Sequence, residues 1–168
     1  MNNEEKNTFV KEQITEATIN LLMEYELSQI SISQITTKAQ VSRNSFYRNY
    51  VDKEDILLKY VNNLISKWDA EYQLINKDSN AELFGSLFKH LKEHSDFYLL
   101  LKKRKLFYLF LNVFIELYGA KTEHDNMAAY VTSFITYGTY GWIEEWIGRG
   151  MQESAESMSA LLSTHGMK

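Results

Sequence analysis

Ile32-Ser33-Gln34-Ile35-Thr36-Thr37-Lys38-Ala39-Gln40-Val41-Ser42-Arg43-Asn44-Ser45-Phe46-Tyr47-Arg48-Asn49-Tyr50 has the proportions of two short helices joined by a tight turn. The first runs from about Ser33, read as its N-cap, to Ala39, with Ile35 and Ala39 facing inward. Gln40 and Val41 form the turn. Ser42 then caps a second helix, Arg43 to about Tyr50, in which Phe46 and Tyr50 sit one turn apart. Two short helices that cross closely need a small residue at the crossing, which Ala39 supplies, and an apolar plug in the connection, which Val41 supplies. The second helix opens on Arg43, Asn44 and Ser45. In a helix-turn-helix that turn faces base edges, where Arg can read guanine and Asn adenine, each with two hydrogen bonds.

Upstream, Val10, Ile14, Ala17, Leu21 and Tyr25 recur at helical steps and predict a helix from Thr8 to about Tyr25, which Leu27 to Ser31 interrupts. Downstream, Asp52 caps a long helix with Glu54 and Asp55 in its first turn, where the helix dipole favours acids. Its stripe is Leu57, Val61, Leu64, Trp68, Tyr72 and Ile75, and the polar run Asn76 to Asn80 ends it. Further helices fit Ala81 to Glu93, Asp96 to Leu101, Leu106 to Tyr118, Asp125 to about Met151 and Ala155 to Ser163. There is no Pro, only seven Gly, and no Cys, which suits uninterrupted helices and excludes disulfide scaffolds, thiolate metal sites and cysteine nucleophiles. The fold class expected is all-α. A three-helix unit at residues 1–52 precedes a helical unit at 53–168.

The net charge of −4 argues against a nucleic-acid partner until its distribution is considered. From Ser33 to Lys53 the basic residues Lys38, Arg43, Arg48 and Lys53 face one acid, Asp52, a local excess of +3. Residues 1–11 are polar with no signal-peptide core, and the apolar stretch Leu106 to Ile115 falls far short of the ~20 residues a membrane span needs. A soluble, cytoplasmic protein that makes no membrane contact is expected.

The same run resembles the DNA-binding domain of the tetracycline-repressor (TetR) family: Ile35, Ala39, Val41 and Ser42, then Phe46, Tyr47 and Tyr50, then Lys53, Glu54 and Ile56. The likeness covers about the first sixty residues strongly and the remainder in helical layout only. It implies that Tyr47 and Lys53 grip phosphates while Phe46 and Tyr50 pack inward. The candidate DNA-binding set is therefore Ser33, Lys38, Ser42, Arg43, Asn44, Ser45, Tyr47, Arg48 and Lys53. Two residues depart from the pattern. Gln40 stands where the family has Gly, so a non-Gly residue must take a left-handed conformation at a cost of ~1 kcal/mol. Thr36 replaces an Ala and is expected on the outer face.

The resemblance further implies that the last two helices form half of a four-helix dimer interface. Phe134, Gly138, Gly141, Trp142 and Trp146 share a broad face of the long eighth helix, and Met158, Leu161 and Leu162 extend it from the last one. Ligand binding is the usual business of the family's C-terminal domain. From the many aromatic residues here, Phe97, Phe107, Phe110, Phe114 and Tyr137 are assigned to a pocket for a small apolar molecule. Such a ligand is expected to act through the tilt of the fourth helix. His90 and His94 have the i, i+4 spacing of a metal pair, with Glu93 and His124 the only possible further donors, and a solvated pair is the preferred reading. Lys102 to Lys105 read as an exposed loop. No metal and no cofactor are expected. No nucleophile–base pair, phosphate loop or carboxylate pair points to an enzyme. The expectation is a ligand-responsive homodimeric repressor of a palindromic double-stranded DNA operator. The alternative is a helical interaction module that has lost DNA binding.

Overall fold

The computed structural model describes residues 2–75, 80–162 and 164, and among them helices are the only regular elements. They are α1 Asn3–Glu24, α2 Ile32–Lys38, α3 Arg43–Asn49, α4 Lys53–Ile75, α5 Asn80–Glu93, α6 Ser95–Lys103, α7 Tyr108–Tyr118, α8 Asn126–Gly148 and α9 Ala155–Leu161. A 3₁₀ turn, Leu27–Gln29, separates α1 from α2. The chain divides into two compact units between Val61 and Asn62, rather than at 52/53, so the first turns of α4 belong to the N-terminal unit.

In the N-terminal unit the helix boundaries follow capping chemistry. Asn2 and Glu5 form a reciprocal capping box, Glu5 N to Asn2 Oδ1 at 2.8 Å and Asn2 N to Glu5 Oε2 at 2.9 Å. That box starts α1 earlier than its apolar periodicity does. Its buried line is Ile14, Ala17, Thr18 and Leu22, while Tyr25 is exposed. Ser31, not Ser33, caps α2: Gln34 N donates to Ser31 Oγ at 3.2 Å and Ser31 N to Gln34 Oε1 at 2.8 Å. The Gln34 side chain decides it, because only a cap three residues earlier gives it a partner. Thr36 is buried rather than outward, with its hydroxyl donating to Ile32 O at 3.0 Å.

The α2–α3 connection is a Schellman turn. Val41 N donates to Thr36 O at 3.0 Å and Gln40 N to Thr37 O at 3.2 Å, with Gln40 at φ 55° as its position requires. Ile14, Leu22, Ile30, Ile35, Ala39, Phe46, Ile56 and Leu57 close the small core, all but Ala17 and Ala39 of its apolar residues being branched or aromatic.

The C-terminal unit is held by a larger aromatic core. Phe107, Phe110 and Tyr140 stack in series, with Phe107 to Phe110 at 5.2 Å and Phe107 to Tyr140 at 5.9 Å between centroids. The short α9 packs along α5, so closely that a side chain at Gly85 would meet Ser159 Oγ at 3.4 Å. Thr136 Oγ1 donates to Tyr118 O at 3.0 Å and ties α8 to α7. Lys102 pairs with Glu144 at 2.8 Å and ties α6 to α8. Lys102 and Lys103 thus end α6, and the chain turns at Lys105, φ 59°. The expected end residues Ile75 (as a side chain), Asn76 to Ser79 and Ser163 lie outside the described residues. No helix among the described residues is long and apolar enough to cross a membrane.

Candidate functional site

In the N-terminal unit, α3 sorts its side chains by direction. Phe46 is fully buried, and Tyr50 buries its ring while its hydroxyl lies 3.4 Å from Thr15 Oγ1. Successive residues turn by about 100°. Asn44 and Arg48 therefore occupy the opposite sector with Tyr47 at its edge, while Arg43 shares the flank of Phe46 in the first turn; all four are exposed, Tyr47 by 54%. Tyr47 packs its ring edge on Phe46 at 5.3 Å, which aims the hydroxyl outward from the core. Among the described residues, the side-chain nitrogens and oxygens of Arg43, Asn44, Arg48 and of Lys38 on α2 make no hydrogen bond or ion pair within the chain.

Other members of the predicted set are committed elsewhere. Ser42 Oγ accepts from Ser45 N at 3.0 Å and lies 2.9 Å from Ser45 Oγ, so both hydroxyls serve the α3 cap. Ser33 is exposed on the first turn of α2 without being its cap. Lys53 Nζ donates to Leu27 O at 2.5 Å, which also accepts from Ile30 N within the 3₁₀ turn, and to Ile30 O at 2.6 Å. Its half-buried ammonium is a brace inside the domain, a role the sequence pattern did not suggest. Lys59 acts similarly on the other side, donating to Asn49 O at 2.9 Å and pairing with Asp55 at 2.8 Å.

In the C-terminal unit α8 carries the exposed apolar surface. Met127, Tyr130, Val131 and Phe134 lie outside, Phe134 by 72%, followed on the same side by Gly138, Gly141 and half-exposed Trp142. A side chain placed at Gly138 or Gly141 would meet nothing within 4 Å, so no packing among the described residues accounts for either glycine. Trp146 is not on this face. It is 2% exposed, packs edge-on to Phe88 at 5.4 Å, and has Lys92 Nζ above its ring at 5.6 Å. Met158 and Leu162 are likewise buried within the chain, facing α5, while Leu161 is exposed. The predicted interface set thus separates into an outer row and a structural row, because Trp142 and Trp146, one turn apart, differ by about 40° in direction. A shallow hollow of about 250 Å³ lies between α8 and α9, bordered by Gly141, Trp142, Glu145, Met158 and Leu161, with Trp146 at its floor.

A cavity of about 230 Å³ exists, but not where the aromatic residues suggested. It is lined by Trp68 of α4, Leu83, Phe84 and Leu87 of α5, Phe114 and Tyr118 of α7, and Thr132, Ile135, Thr136 and Thr139 of α8. Of the predicted lining only Phe114 takes part. Phe107 and Phe110 are consumed by the stack with Tyr140, Phe97 is buried against Tyr98, and Tyr137 is exposed. Tyr118 is the residue that sequence reasoning missed. Its Oη is fully buried and has the Asp69 carboxylate beside it as an acceptor. Burial raises its pKa above the usual tyrosine value, and the nearby Asp69 carboxylate adds to the effect.

His90 and His94 do come together, with rings 4.8 Å apart, but His90 is buried rather than solvated. Its Nε2 lies 3.4 Å from Tyr98 Oη, and burial first, then His94, lowers its pKa to about 4. Among the described residues there is no group of three or more His, Asp or Glu placed to hold a metal.

An all-α chain with a capped helix-turn-helix and a separate helical unit is a transcriptional regulator in architecture. Residues 14–60 match the family described as bacterial regulatory proteins, tetR family, and residues 78–165 match the transcriptional regulator C-terminal region. The chain belongs to the TetR family. No curated protein matches it.

Proposed function

We propose that this regulator is a homodimeric repressor that binds a palindromic double-stranded DNA site through α3 and releases it when a small molecule enters the C-terminal cavity. The observation that carries the DNA-binding part is the exposed surface of α3, where Arg43 in the first turn and Asn44, Tyr47 and Arg48 stand without intramolecular polar partners among the described residues. Leaving two guanidinium groups and an amide unpaired costs nothing in water and makes them available to phosphates and base edges. Arg43 and Asn44 act as base readers, Tyr47, Arg48 and Lys38 as phosphate contacts, with Ser33, Ser42 and Ser45 at the margin. Lys53 contributes chiefly by bracing the domain.

The outer row of α8 supports the dimer. Phe134 is the anchor, Gly138 and Gly141 allow a second helix to approach, and Trp142 and Leu161 flank them. Two-fold symmetry then places two α3 helices on one duplex face about 34–36 Å apart. Repression follows from occupancy alone, since a bound dimer excludes polymerase from the same DNA.

The test is selection of bound fragments from genomic DNA, followed by binding of variants to the selected site and to scrambled DNA. Tyr47→Ala weakens binding to both alike. Arg43→Ala costs about 1–3 kcal/mol on the selected site and flattens preference at one or two positions. Wild-type binding by both variants refutes the assignment of α3.

A further inference from the structure

On α8, Met127, Val131, Phe134, Gly138, Gly141 and Glu145 follow one another at steps of four, three, four, three and four residues. That spacing gathers them into one stripe, on the side away from the buried Thr136, Thr139, Ile143 and Ile147. It is the spacing of a seam between two helices, yet all six residues are exposed. The stripe is uneven. Its first half, Met127 to Phe134, is bulky and apolar, and a row of large apolar side chains in water marks an interaction surface. Its second half is empty. A side chain at Gly138 or Gly141 would meet nothing within 4 Å, and beyond them the hollow of about 250 Å³ opens between Trp142 and Leu161 over Trp146. Glycine is a poor helix former, so two on an exposed stripe weaken the helix without any packing among the described residues in return. An apolar cavity of ~150 Å³ already admits benzene, so the hollow has room for a phenyl ring.

Two copies related by a two-fold axis can bring these stripes together in two ways. If the helices run the same way, every residue meets its own counterpart. Phe134 then props the pair apart on Phe134, the glycine halves face each other across a gap, and the Glu145 carboxylates stand together. If they run oppositely, bulk meets space and the carboxylates separate. Granting the dimer proposed above, we infer that its two α8 helices cross antiparallel near Gly138, with Phe134 of each copy seated over Gly141 and Trp142 of the other, at the edge of the hollow. Val131 then lies opposite Glu145 of the second copy. No charged residue occurs between Asn126 and Ile143, so the crossing buries none.

The chain has no cysteine, so introduced thiols report on their own positions alone. Val131→Cys and Glu145→Cys are made in the full chain, singly and together; both residues are exposed, and Glu145 gives up only a surface pair with Arg149. In an antiparallel pair crossing near Gly138, like positions lie roughly 20 Å apart along the helices, while unlike positions face each other. With a thiol-to-thiol reagent too short to span that gap, the doubly substituted chain should cross-link into dimers, as should a mixture of the two single variants. Neither single variant should do so alone. Gly138→Leu should leave the chain helical by circular dichroism and weaken association at least about tenfold in sedimentation, because the new side chain occupies the crossing point. Single variants that cross-link with themselves overturn the antiparallel crossing and leave the dimer standing. A dimer with no cross-link in any combination, or one indifferent to Gly138→Leu, overturns the crossing by moving the interface off this stripe. A wild-type chain that sediments as a monomer at micromolar concentration overturns the dimer itself.

Discussion

Protonation of His90 couples the stability of the C-terminal unit to pH in a way that can be worked out in advance. The imidazole is buried among Trp68, His94 and Tyr98, and among the described residues it forms no ion pair with a carboxylate. Burial, assisted by the neighbouring His94, lowers its pKa from 6.5 to about 4. In the unfolded chain the ordinary value returns. Between those two values the unfolded chain therefore holds a proton that the folded chain refuses, and stability falls as pH drops through the window. Above pH 6.5 the group contributes no pH dependence, and below about 4 its effect saturates. One pKa unit corresponds to ~1.4 kcal/mol, so the full loss is roughly 3 kcal/mol, a large share of what a domain this size possesses. All three tryptophans, Trp68, Trp142 and Trp146, lie beyond residue 61, so their fluorescence reports this unit selectively. Urea unfolding of wild type and His90→Gln is followed at intervals from pH 7.5 to 4. Carboxylate titrations common to both proteins cancel in the difference, which should shrink by roughly 3 kcal/mol across the range as the wild type loses its advantage. An NMR titration should show the His90 ring unprotonated at pH 5.5. A difference that stays constant with pH, or a ring that titrates near 6.5, refutes the reasoning.

Phe134→Arg should convert the proposed dimer to monomer in sedimentation at micromolar concentration while leaving the fold of the single chain intact by circular dichroism, because Phe134 is 72% exposed in its own chain. A dimer that survives it removes α8 from the interface. Trp146→Ala should instead cost about 3–5 kcal/mol in urea unfolding through the cavity left against Phe88, whereas Trp142→Ala should cost under about 1 kcal/mol in the same measurement. Lys53→Met removes the ammonium from Ile30 O and leaves Leu27 O with Ile30 N alone, and should destabilise the N-terminal unit by about 1–3 kcal/mol, read by amide exchange in α1 to α3. Unaltered exchange would return Lys53 to the role of a simple phosphate contact.

The helix-turn-helix was legible because several independent demands fall on consecutive residues. Ala39 at the crossing, Gln40 in the left-handed position, Ser42 at the cap and Phe46 in the core each have one chemical reason to be there, and each is found in that place. The start of α2 was misread because Ser31 and Ser33 are equally good caps by residue type. Only the partner at the third helical position, Gln34 for one and Thr36 for the other, distinguishes them. Thr36 is buried for a related reason. A threonine can hide its hydroxyl on a carbonyl one turn back, so its polarity says little about which way it faces.

The cavity was not legible, and the cause is geometric. Aromatic residues announce volume, and a chain with as many as this one must use most of them to fill space. Phe107, Phe110 and Tyr140 do so by stacking, and a stack leaves no void. A void opens where neighbouring helices offer side chains too small to meet, and here α8 offers Thr132, Thr136 and Thr139, at steps of four and three residues, to the aromatic walls of α4, α5 and α7. That threonine line was present in the sequence as plainly as the tryptophans were. Set beside the row Phe134, Gly138 and Gly141 on the opposite flank, it divides α8 into one side too small to fill its own chain and another too apolar to be left in water. The proposed dimerisation on one flank and the proposed ligand entry on the other would therefore make separate demands on the same helix. A substitution that shifts α8 to suit one of them necessarily perturbs the other.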